Sequence, residues 1–323
     1  MNLRPDSILT PEAENFLTEW LSPAPYVTAH TSGSTGAPKE IRLSKNDMRT
    51  SARATVKFFG LNEGSVLALP LSPDYIAGTM QIVRACEAGC RLVAERPSSH
   101  PFTEYPYGEC SLIPIVPSQL EGFMQSTVNH LTANVIIGGA PLSPEKERVI
   151  IENGISAYAT YGMTETCSHV ALRRIGEECY KALPGITFST DSRGCLVIDS
   201  STMSFGRLVT NDMVALEDET GFKWLGRYDN VINSGGIKIH PEEIERVLAP
   251  LLPHGTTAYV TARTSDRWGQ EAVIVTDSAT LDREILDRLK EILPPHTSPR
   301  DIVRITSIPL TSSGKIIRQK IND

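Results

Sequence analysis

Residues 31–39 read Thr-Ser-Gly-Ser-Thr-Gly-Ala-Pro-Lys, a composition suited to holding a phosphate. Gly33 and Gly36 allow a tight turn that brings backbone N–H groups close to an anion. Thr31, Ser32, Ser34 and Thr35 add hydroxyl donors, and Lys39 adds a point charge. The segment follows an apolar stretch and is closed by Pro38-Lys39. Its spacing is not that of a Walker loop, which disfavours a Walker-type kinase. Gly/Ser stretches also form flexible surface linkers, and composition alone leaves that alternative open.

The elements that must position this loop alternate. A helix over 11–21 and a strand over 26–30 lead into it. Beyond it come a helix over 44–59, a strand over 65–71, a helix over 76–88 and a strand over 90–94. Residues 95–110 read as loop. Strands at 111–116, 134–137 and 156–160 then alternate with helices at 117–128 and 144–153. From about 183, short strands between Gly and Asp turns predict a mostly antiparallel region. Near Gly226–Asp229 a unit of about a hundred residues begins, with helices at 241–249 and 281–293 and strands near 256–263, 270–276 and 301–306. The expected fold class is α/β: a large layered domain over 1–226, reduced at its N-terminus, and a small mobile α+β domain over 227–323.

Composition narrows the partners. The net charge of −7 gives no basic footprint for nucleic acid or an anionic membrane. No apolar run approaches a membrane span and the N-terminus lacks a signal-peptide pattern, so cytoplasmic residence is expected. The cysteines (Cys86, Cys90, Cys110, Cys167, Cys179, Cys195) form no Cys-x-x-Cys pair and read as buried free thiols. Monomer and homodimer both stay open.

The loop resembles the phosphate-binding signature of the adenylate-forming superfamily, which includes acyl-CoA synthetases, adenylation domains and luciferases. Three further segments resemble that family's signatures, in its order: Tyr161-Gly162-Met163-Thr164-Glu165; Trp224 to Asn230 running into Ser234-Gly235-Gly236; and Pro309 to Lys315. The resemblance covers nearly the whole chain from Val27. It implies a reaction that sets a carboxylate against the α-phosphorus of ATP, two anions that need positive charge and exclusion of water. By resemblance Lys315 is the adenylation lysine, Thr164 donates to the α-phosphate, and Glu165 holds Mg²⁺. Asp212 would accept the ribose hydroxyls, with Arg227 beside it. Gly139-Ala140-Pro141 would pack on adenine, and Tyr161 would stack there or serve as a buried structural tyrosine. Asp229 resembles the hinge between the domains. Gly235, Gly236 and Lys238 would then meet coenzyme A, although a plain Gly-Gly turn also fits the pair. Asn211 stands where the family usually has Gly.

Within the superfamily the closest resemblance is to the o-succinylbenzoate–CoA ligases of menaquinone biosynthesis. It rests on Tyr161 to Val170, on Val116-Pro117-Ser118-Gln119-Leu120, and on Arg84 in the helix after the acyl-side segment. The acid keeps a second carboxylate and a keto group through the reaction, and Arg84 and Ser168 would receive them. An exposed helix arginine is the other reading of Arg84. Only thirty residues precede the loop, far fewer than is usual, and the family's Phe-His is replaced near Asp74-Tyr75. Three other readings are another aryl- or acyl-CoA ligase, an adenylation enzyme loading a separate carrier protein, and a non-catalytic binding protein. Lys315 and Glu165 argue against the last.

Overall fold

The computed structural model describes residues 3–31, 39–253, 255–310 and 316–321. Helix α1 (Pro11–Leu21) starts where Thr10 accepts from the Ala13 N–H at 3.3 Å, with Pro11 in the first turn. It leads to β1 (Tyr26–Thr31) and β2 (Lys39–Ser44), antiparallel strands paired from Tyr26↔Ser44 to Thr31↔Lys39. The phosphate-loop segment therefore joins two paired strands; Ser32 to Pro38 lie outside the described residues. Ser44 caps α2 (Lys45–Phe59), and β3 (Val66–Leu69), α3 (Ile76–Ala88) and β4 (Arg91–Ala94) follow. Strands β3 and β4 pair in parallel. Helix α3 is buried along almost its whole length, including Thr79, Gln81 and Arg84, as expected for a helix covered on more than one side.

Next come β5 (Ile113–Ile115), α4 (Leu120–Gln125), β6 (Val135–Ile137), α5 (Pro144–Glu152) and β7 (Ala157–Gly162). The helix expected over 117–128 is instead a 3₁₀ turn, the short α4 and a second 3₁₀ turn. Ser126 breaks it: its backbone is extended, and its hydroxyl bonds to the Phe123 carbonyl. Strands β5, β6 and β7 run parallel. Then β8 (His169–Arg174), β9 (Tyr180–Ala182), β10 (Ile186–Thr190), β11 (Cys195–Ser200), β12 (Arg207–Asp218) and β13 (Gly221–Arg227) extend the same sheet antiparallel. Its nine strands run β10-β11-β12-β13-β9-β8-β7-β6-β5. The parallel strands β5–β7 and the antiparallel strands that follow are thus one sheet, joined through β8 and β9, while β1–β2 and β3–β4 form two-stranded sheets of their own.

A second sheet is built from β14 (Ile232–Ser234), β15 (Ile237–Ile239), β16 (Ala258–Ser265), β17 (Gly269–Thr276) and β18 (Asp301–Arg304). Helices α6 (Pro241–Leu248) and α7 (Glu284–Ile292) bury Ile244, Leu248, Ile285 and Leu289 against Val260 and Ile274. This core is separate from the clusters of the large sheet, matching the large α/β and small α+β organisation expected. Among the described residues no helix is long and apolar enough to cross a membrane.

Candidate active site

The parallel strands β5, β6 and β7 end side by side, and the segments that leave them carry the nucleotide candidates. Ligands of such sheets gather outside the carboxyl ends of the strands. Gly139-Ala140-Pro141 leaves β6, while Tyr161-Gly162 ends the neighbouring β7. Beyond Gly162 the chain makes a single 3₁₀ turn, Thr164–Thr166, tied by Thr166 Oγ1 to the Met163 and Ser168 carbonyls. A Cβ on Gly162 would lie 2.2 Å from the Ser168 carbonyl oxygen, so only glycine lets the chain double back here. That turn leaves the Glu165 side chain exposed, with no hydrogen bond or ion pair among the described residues.

Asp212 and Arg227 face one another directly across β12 and β13. Asp212 is buried; its Oδ1 lies 3.5 Å from Arg227 Nη1, and its Oδ2 accepts from the Tyr161 hydroxyl at 2.7 Å. Burial and the neighbouring Asp212 push the Tyr161 phenol above its usual range, so it stays a proton donor. Its ring packs edge-on against Phe222 and Tyr180. Tyr161 thus orients the carboxylate expected to meet ribose, a contact that the sequence reading did not include. Arg227 also reaches Asp229 at 3.4 Å, and Asn211 donates to the same carboxylate at 3.3 Å. Arg193, which the sequence reading missed, donates to Asn211 Oδ1 at 3.0 Å and lies over the Tyr228 ring. The side chain at the usual glycine position is therefore held between Arg193 and Asp229.

On the acyl side, Arg84 is 1% exposed, which excludes the exposed-helix reading. Its Nη2 donates to Ser168 Oγ at 2.7 Å and lies 3.5 Å from His169 Nδ1, while Nη1 reaches Gln81 Oε1 at 3.4 Å. Nε has no partner, and no carboxylate pairs with this guanidinium among the described residues. Burial alone draws it down to about 9, so it remains charged at neutral pH. Burial, reinforced by Arg84, holds the His169 imidazole well below its usual range, hence neutral. With Nδ1 facing the guanidinium, Nε2 carries the proton and donates to Thr55 Oγ1 at 2.9 Å. Thr55 in turn donates to the Ser51 carbonyl at 3.2 Å. Gln81, His169 and Thr55 escaped the sequence reading, although Gln81 lies one helical turn before Arg84 and His169 follows Ser168. Cys167 is buried, left-handed at φ 62° and a free thiol pushed up to about 12.

Gly235 and Gly236 form the two-residue turn between β14 and β15, both with positive φ. Such turns require φ > 0 at both positions, a structural reason for the pair. A Cβ on Gly235 would lie 2.6 Å from the Trp268 ring, whereas one on Gly236 would meet nothing within 4 Å. Lys238 is exposed beside them on β15. The side chains of Thr31 and Lys39, and all of Lys315, lie outside the described residues. Among the described residues no cluster of three His, Cys, Asp or Glu could hold a metal by protein ligands alone. Glu165 suits Mg²⁺, which binds through one or two carboxylates with phosphate oxygens and water.

The profile of the AMP-binding enzyme family matches residues 9–221. The chain belongs to this family. An indoleacetate–CoA ligase of Aromatoleum aromaticum is 25% identical over 92% of this chain and 66% of its own length. A 2-succinylbenzoate–CoA ligase of Bacillus cereus is 25% identical over 96% of this chain and 73% of its own. The chain thus spans about two thirds to three quarters of the length of these relatives. A solved acyl-CoA synthetase (AMP-forming)/AMP-acid ligase II-like protein of Dyadobacter fermentans is 32% identical, with TM-score 0.65. That match covers 94% of this chain and 91% of the solved one.

Proposed function

We propose that the chain is an ATP-dependent acid–CoA ligase acting on o-succinylbenzoate in menaquinone biosynthesis, in the cytoplasm. In the first half-reaction a carboxylate oxygen of the acid attacks the α-phosphorus of ATP, and pyrophosphate leaves. In the second, the thiol of coenzyme A attacks the mixed anhydride; AMP leaves and the thioester remains. The loop from Thr31 to Lys39 grips the departing pyrophosphate, and Thr164 donates to the α-phosphate. Asp212, oriented by Tyr161 and Arg227, accepts from the ribose hydroxyls, while Gly139 to Pro141 lie against adenine. Lys315 spans the acid carboxylate and the α-phosphate, where such a donor is worth roughly 10²–10³ in rate. Mg²⁺, held by Glu165 with the phosphates, would supply charge neutralisation on the phosphate oxygens. The unit from Arg227 onward turns about Asp229 between the half-reactions and brings Gly235, Gly236 and Lys238 to coenzyme A.

The observation that carries the choice of acid is Arg84: a buried, charged guanidinium bonded to Ser168 and lacking a carboxylate partner among the described residues. Leaving such a charge unpaired is costly, and the surviving carboxylate of o-succinylbenzoate would pair with it. The name of the Bacillus cereus relative supports this reading. Indoleacetate has no second carboxylate, and the Aromatoleum aromaticum relative marks the rival class. A panel of o-succinylbenzoate, indoleacetate, benzoate and fatty acids, scored for CoA thioester, tests the proposal. The largest kcat/KM is expected for o-succinylbenzoate. Turnover of a monocarboxylate with none of o-succinylbenzoate would overturn the assignment.

A further inference from the structure

Helix α6 carries Glu242 and Glu245 one turn apart, and both meet one cation from the far end of the chain. Arg318 Nη2 donates to Glu245 Oε2 at 2.6 Å and lies 3.6 Å from Glu242 Oε1. Glu245 Oε1 accepts from the Val260 N–H of β16 at 2.7 Å, so this carboxylate is fixed from two sides. Glu242 is buried and looks toward the hinge: its Oε1 accepts from Asn230 Nδ2 at 2.5 Å. Its Oε2 has no partner, and a Cβ on Gly226 would come within 2.3 Å of that oxygen. Arg246, also on α6, reaches the Trp224 carbonyl at 3.4 Å. A continuous set of contacts therefore runs from Arg318 through α6 to Asn230 and to the end of β13.

The tail that holds Arg318 is anchored around it. Leu310 bridges Ile316, the Ile317 N–H bonds to the Pro309 carbonyl at 2.9 Å, and the Ile321 N–H bonds to Ala262 at 3.0 Å. Ile316 and Ile321 pack against a cluster of Tyr259, Val273 and Val275. Arg318 follows Lys315 by three residues, a reach of at most about 10 Å. Whatever fixes Arg318 therefore limits where the lysine can go.

We propose that Arg318 is a positioning residue for adenylation, tying the segment after Lys315 to the hinge face of α6 through Glu245 and Glu242. The inference rests on the adenylation reading above. Arg318 then keeps a fixed register with the hinge, and the half-reaction that needs Lys315 depends on this tie, whereas thioester formation does not.

The test measures acyl-adenylate formation from ATP and o-succinylbenzoate, and separately thioester formation from supplied acyl-adenylate and coenzyme A. Wild type, Arg318→Met, Arg318→Lys and Glu245→Gln are compared, with melting temperatures. Misplacement of a catalytic group by about 1 Å costs on the order of 10²-fold. Arg318→Met should therefore lower the adenylation kcat at least about tenfold, with KM for ATP and acid held within about twofold. Thioester formation should stay near wild type, and Arg318→Lys should recover most of the loss. Glu245→Gln keeps the acceptor for Val260 while removing the ion pair, and should give the same split. It decides the matter if Arg318→Met does not fold. Equal loss of both half-reactions, or loss of neither, overturns the inference. A wild-type protein that adenylates no acid overturns instead the functional reading beneath it.

Discussion

Arg84 separates stability from function more cleanly than any other residue of the acyl side. A buried charge without a counter-charge contributes little to folding, and replacing such groups with apolar residues of similar volume is often neutral or stabilising. Arg84→Met should therefore melt no lower than wild type. Loss of a buried charge pair with the substrate costs about 2–4 kcal/mol, which raises KM for o-succinylbenzoate roughly 30- to 1000-fold. KM for ATP should not move, because Asp212, Tyr161 and Arg227 form a separate group on β7, β12 and β13. Steady-state kinetics with both substrates and a melting curve check this. A variant that melts well below wild type and keeps its KM for the acid would make Arg84 structural. The arginine itself was legible, since a cation on the acyl-side helix suits a dicarboxylic acid. Its burial was not, because His169, 85 residues further on, and Thr55 behind it come from segments distant in the sequence.

At the scale of elements, α2, α3 and β8 meet at His169. The buried imidazole stays neutral in the folded chain, whereas in the unfolded chain it takes a proton below about pH 6.5. The unfolded state then binds more protons, so stability rises with pH up to about 6.5 and levels off above. The slope from this group is at most about 1.4 kcal/mol per pH unit. Urea denaturation at pH 5 and pH 7 should show a smaller difference for His169→Gln than for wild type. An unchanged difference would mean that the imidazole is not protonation-linked to folding. Most helices and the parallel strands were legible, because caps such as Thr10 and Ser44 and runs such as Val135–Ile137 act locally. Strands β8 and β9 were not. Their sequences follow a motif that drew a functional reading, and β9 is only three residues long, set by pairing with β8 and β13. The Gly235–Gly236 turn is legible both ways: hairpin geometry demands glycine, and the open face at Gly236 still leaves room for a thin ligand.

Across the whole molecule, the proposed catalytic parts are divided between the elements up to Arg227 and a five-stranded sheet with a core of its own. The groups proposed for ribose lie on the nine-stranded sheet, the arginine proposed for the acid lies on α3, and Lys315 follows β18 in sequence. Such a division makes chemistry depend on how the two parts meet, and the contacts from α6 to Gly226 and Asn230 lie where they join. The Dyadobacter fermentans protein shares the fold over nearly the full length of both chains. On the proposed function the chain activates a carboxylic acid by adenylation with Lys315 as its charge donor. Exchange of labelled pyrophosphate into ATP measures that step alone. Wild type should exchange only when o-succinylbenzoate is present, and Lys315→Ala should lose about 10²–10³-fold. Exchange that needs no acid, or that survives Lys315→Ala undiminished, would rule out acid adenylation by this lysine.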